Sequence, residues 1–161
     1  MGILNSFFRA MVVMLLFIAV SGCGLGKTSE ESRMSMIQSV NPDPIAVEDK
    51  YGKNHELAER IKHDIQQLPH LYDVAVIKGK DEILVAYKVK HMQRFHMKKI
   101  EKEITDKLEK NYPKENFVVS SDFKIFIEAI ELKDKMKDPN FSQEDAENRL
   151  KKIIKFKKEL T

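Results

Sequence analysis

The sequence predicts an α+β fold: a small two-layer domain of order αββαβα, with helices on one face of a three-stranded mixed sheet, then a C-terminal amphipathic helix. Three observations predict it. Apolar residues recur at helical spacing in separate stretches from Asn54, Met97, Phe123 and Ala146 onward. Two intervening runs alternate apolar and polar residues around a glycine turn. Pro69, Pro113 and Pro139 fall between the helical runs and not inside them.

Each element follows from its own stretch. Leu57, Ala58, Ile61, Ile65 and Leu68 form a helical stripe that Asn54 can cap and Pro69 ends. In "YDVAVIKGKDEILVAYKVK", Val74 and Val76 alternate, Gly79-Lys80-Asp81 turns, and Ile83, Val85, Tyr87 and Val89 alternate again, which predicts a hairpin with Lys88 and Lys90 facing out. Met97, Ile100, Ile104 and Leu108 stripe a second helix that Pro113 stops. "ENFVVSSD" supplies the third strand, and Phe123, Phe126, Ile127 and Ile130 begin a third helix. The last helix opens on the capping box Ser142-x-x-Asp145 and carries Ala146, Leu150, Ile153 and Ile154 on one side. Acids occupy its first turn and lysines its last, as the helix dipole prefers.

The N-terminal end carries the sharpest signal. "SGCGLGKT", residues 21–28, follows the apolar run "AMVVMLLFIAV". A phosphate loop would need glycine where Ser21 stands, then an immediate helix and a magnesium-holding aspartate on a second buried strand. Neither context follows. An anchor uses every residue in place. Arg9 supplies the charge of a short n-region, Ala10 to Val20 an h-region, and Ser21 and Gly22 the small residues that a signal peptidase requires. Eleven apolar residues span roughly 16 Å, about half a hydrocarbon core, which disfavours a permanent transmembrane helix. An ordinary cleaved signal peptide with an incidental cysteine is the plainer alternative.

Four segments result. Residues 1–22 read as a signal peptide and 23–52 as a flexible tether broken by Pro42 and Pro44. Residues 53–138 read as the α+β domain and 139–161 as the basic amphipathic helix. A chain of 161 residues with 33% charged side chains and a net charge of +3 holds one modest domain. That charge does not call for nucleic acid. Cys23 is the sole cysteine, so no internal disulfide forms.

Catalytic patterns are incomplete throughout. In "HELAE" Glu59 stands where a zinc-protease helix needs histidine, and His55 and His63 lie two helical turns apart, roughly 12 Å. His91 and His96 read as solvated surface residues. Ser120 and Ser121 precede Asp122, where helix capping accounts for them. The element order is related to that of KH modules, but no Gly-x-x-Gly loop follows Gly52. No catalytic, cofactor or metal residue is expected. Arg149, Lys151, Lys152, Lys155, Lys157 and Lys158 are candidate contacts for an anionic membrane or wall polymer. Packing on the domain with a solvated basic side is the favoured reading, because the apolar side is narrow.

Val20-Ser21-Gly22-Cys23 resembles the lipobox of bacterial lipoproteins. Behind it, "LAERIKHDIQQLPHLYDVAVI", "ILVAYKVK" and "VVSSDFKIFIEAIELK" resemble the sporulation lipoproteins of the YhcN/YlaJ type, from Glu56 to about Met136. The layout is also similar to BON-type modules, which contact membranes or envelope partners. The resemblance implies diacylglycerol on the Cys23 thiol, with acyl chains such as palmitate, and cleavage leaving Cys23 as first residue. Two acyl chains suit stable anchoring, since one binds only marginally. It further implies the outer face of a cell or spore inner membrane, an envelope protein partner, and a supporting part in sporulation or germination without catalysis.

Overall fold

The computed structural model describes residues 41–49 and 52–160. Val20, Ser21, Gly22, Cys23 and the tether as far as residue 40 lie outside the described residues.

The elements are β1 (Ile45–Ala46), α1 (Lys53–Gln66), β2 (Leu71–Lys78), β3 (Ile83–Val89), a 3-10 turn (His91–His96), α2 (Met97–Asn111), β4 (Phe117–Ser120), α3 (Phe123–Lys135) and α4 (Gln143–Glu159). The α+β class, the mixed sheet and the predicted order from α1 to α4 are present. The sheet runs β1-β2-β3-β4, with β1 parallel to β2, β2 antiparallel to β3, and β3 parallel to β4. Two details differ from the expectation. The sheet has four strands, because Ile45 and Ala46 pair with Ile77 and Lys78 where the tether was expected to continue. Pro44 precedes that pairing, and β1 is an edge strand, the place in a sheet where proline is tolerated.

The second difference concerns layers. Val74, Val76, Ile83, Val85 and Tyr87 pack with Ala58, Ile61 and Ile65 of α1 and Ile100, Ile104 and Leu108 of α2. The alternate residues Ala75, Ile77, Leu84 and Ala86 pack instead with Phe126, Ile130, Leu150 and Ile154 of α3 and α4. Helices therefore cover both faces of the sheet, and not one. The near-continuous apolar runs "VAVI" and "ILVAY" are the physical reason: a strand wet on one side cannot bury successive residues. Lys88, expected to face out, is consequently half-buried.

Local chemistry sets the helix ends. Asp122 accepts from the Ile125 N–H at 3.0 Å, and Ser142 accepts from the Asp145 N–H at 3.0 Å. Gly52, and not Asn54, occupies the start of α1, and Asn54 donates instead to the Glu48 carbonyl at 3.5 Å. At the hairpin, a Cβ on Gly79 would stand 2.5 Å from the Leu150 side chain. The absence of a side chain there lets α4 close over the turn, where Lys80 N–H donates to Glu147 at 3.2 Å.

Candidate functional site

One end of the sheet gathers the features that point to contact. β2 begins there, β3 and β4 end there, and α3 starts there. Tyr72, Lys88, Val89, Arg94, Met97, Ser121, Asp122 and Phe123 line an open groove of about 640 Å³. Its floor is built on a cross-strand ion pair. Lys88 lies directly opposite Asp73, their charged atoms 3.2 Å apart, with Asp73 fully buried. The Lys88 ammonium also lies over the Phe126 ring at 4.6 Å and the Tyr72 ring at 5.3 Å. A bulge between Leu71 and Asp73 leaves Tyr72 turned outward and 54% exposed.

The incoming chain docks at this same end. Asn41 N–H donates to Asp73 Oδ1 at 2.9 Å, buried Lys62 donates to the Pro42 carbonyl, and Lys133 pairs with Asp43 at 3.3 Å. Burial lowers the Lys62 pKa, which Asp43 and Asp73 oppose and Lys133 reinforces. Lys133 holds the Asp43 carboxyl below its ordinary range.

Beyond β3 the His91–His96 turn projects with no buried residue. Phe95 is 94% exposed and Met92 79% exposed. From Lys88 to Lys99 the chain reads "KVKHMQRFHMKK", with cations at Lys88, Lys90, Arg94, Lys98 and Lys99 and no acid. His91 and His96 are exposed. On the sheet face below, burial pushes the Tyr87 phenol up to about 12; the Ser121 hydroxyl opposes this and Glu101 adds to it. Tyr112 donates to Asp64 Oδ2 at 2.7 Å, tying α2 to α1, and burial first, then Asp64, raise its phenol to about 12.

The six C-terminal cations sit differently. Arg149 pairs with Glu128, Lys157 with Glu101 at 3.3 Å, and Lys158 with Glu82 at 2.8 Å. Lys151 lies 3.7 Å from Asp81 and Lys155 3.8 Å from Glu159. Lys152 borders a cleft between α3 and α4 beside Lys124 and Phe156. The apolar stripe of α4 is in the core, so the structure joins this helix to the body and directs most of its charges at the body's own acids. Sequence reasoning missed the His91–His96 turn. Its signal was the acid-free cationic run with Met92 and Phe95 off the α2 stripe.

Among the described residues no three of His, Cys, Asp and Glu converge as a metal-holding group, and no helix is long and apolar enough to cross a membrane. The body is thus a three-layer α+β module with cationic and aromatic side chains gathered at one sheet end. The family described as sporulation lipoprotein YhcN/YlaJ matches residues 34–154, and the chain belongs to it. The match takes in the Pro42–Val47 segment, so the incoming strand is part of the family's domain. Membership of a lipoprotein family implies membrane anchoring. Neither the curated proteins nor the solved structures contain a match.

Proposed function

We propose that this sporulation lipoprotein is held by diacylglycerol on Cys23, after cleavage behind Gly22, at the extracytoplasmic face of the cell or spore inner membrane. There it positions an envelope protein partner during sporulation or germination and acts by contact, without catalysis. The observation that carries the anchor is the coincidence of family membership with a lipobox around the chain's sole cysteine. Contact in place of chemistry is supported by the groove, where the rings of Tyr72 and Phe123 and the cations Lys88 and Arg94 stand together. Lipidation is the step to test first. Cys23→Ser should move the protein from the membrane fraction to the soluble one and abolish acyl-chain labelling. Retention of both would refute the anchor. Crosslinking in dormant and germinating spores should then recover a protein partner from wild type that the Cys23→Ser chain loses.

A further inference from the structure

We propose that the His91–His96 turn is a membrane finger: Met92 and Phe95 enter the headgroup zone of an anionic bilayer while the neighbouring cations meet lipid phosphates. The inference rests on the anchored reading for its choice of membrane, and on four observations for its surface.

The first is apolar exposure without a local cause. Phe95 at 94% and Met92 at 79% are the most exposed large apolar side chains among the described residues, and they share one short turn. Each gains free energy by leaving water. The second is charge. Lys90, Arg94, Lys98 and Lys99 are exposed, and among the described residues none of them is in an ion pair, whereas Arg149, Lys151, Lys155, Lys157 and Lys158 of α4 each have an acidic partner. An anionic leaflet is complementary to cations that the body leaves unmatched. The third is composition: a ring flanked by cations on a polar turn is what an interfacial anchor requires, with the apolar tip in the acyl boundary and the charges at the phosphates.

The fourth is direction. β1 runs parallel to β2, so the chain arriving from Cys23 enters at the end of the sheet where Asn41 meets Asp73, beside groove residues Tyr72 and Lys88. The finger leaves β3 at that end too. Seventeen residues, 24–40, separate the lipid-bearing position from Asn41, a reach of at most about 60 Å when fully extended. Anchoring through the same chain makes the finger's encounter with the bilayer intramolecular, so a weak surface suffices.

The test uses the full lipidated chain with Met92→Cys carrying an environment-sensitive fluorophore, reconstituted in vesicles with nitroxide-labelled lipids. On phosphatidylglycerol-rich vesicles the probe should blue-shift and be quenched; on phosphatidylcholine alone it should stay in water. Arg94→Gln should lower the inserted-to-free ratio about fivefold, the effect of one cation near an anionic surface. Phe95→Ser should suppress quenching with the fold intact. Flotation reads the anchor separately. A chain that floats with its probe unquenched on both lipid mixtures overturns the finger, and a probe covered only when envelope protein is added assigns the turn to a protein partner instead. If the chain fails to float, the anchor is at fault, and the labelled chain held to the same vesicles by an N-terminal His-tag on a nickel-chelating lipid must show the same lipid-dependent quenching for the finger to stand.

Discussion

Asp73 shows how much a single buried carboxylate can organise. It accepts from Asn41 N–H and Val74 N–H and faces Lys88 across the sheet. Removing it takes the carboxylate from a half-buried ammonium and from two backbone donors, so Asp73→Ala should cost about 3 kcal/mol in denaturant unfolding. Lys88→Met, which keeps the packing on Phe126 but takes the opposite charge from the fully buried Asp73 carboxylate, should cost a comparable amount. None of this was legible in the sequence, where Asp73 sits in "YDVAV" as one polar residue in an alternating run. The phenols give a second prediction at this scale. Tyr87 and Tyr112 hold their protons to about 12 in the folded chain, against about 10 when unfolded. Between those values the unfolded chain binds fewer protons, so their contribution is complete below pH 10 and is lost as pH rises to 12. Phenolate absorbance should show a late component of two rings near pH 12, and Tyr112→Phe should reduce it to one.

The helices were the most legible elements because their apolar stripes survive in any packing arrangement. Ile61 and Ile65, Ile100 and Ile104, and Leu150 and Ile154 are all buried as their spacing demands. The layer count was harder to read, since periodicity says that a strand buries a face but not how many. "ILVAY" carried the missing information, being apolar at successive positions with no polar alternate. β1 escaped because a strand of two residues, Ile45 and Ala46, is too short to display a period. The assignment of α4 to the core can be checked through Leu150, which is 1% exposed and packs over Gly79. Leu150→Ala should destabilise the body by about 3 kcal/mol, as core truncations of this kind do. A helix resting on a membrane would lose almost nothing in the soluble body, so a shift within error would detach α4 from the core.

At the scale of the whole molecule, the N-terminal segment and the folded body differ in legibility. The proposed anchor was readable because it rests on residue order alone, Val20-Ser21-Gly22-Cys23 behind an apolar run. The groove was not readable, because it is assembled from Tyr72, Lys88, Arg94 and Phe123, which β2, β3, the 3-10 turn and α3 bring together at one sheet end. The central claim is that a sporulation lipoprotein body is kept beside a bilayer by a lipid on one sulfur atom. Mass spectrometry of the mature N-terminal peptide from purified membranes tests it most directly. The account predicts Cys23 as first residue with a diacylglyceryl mass on its sulfur; an intact leader, or an unmodified thiol at that position, would contradict it.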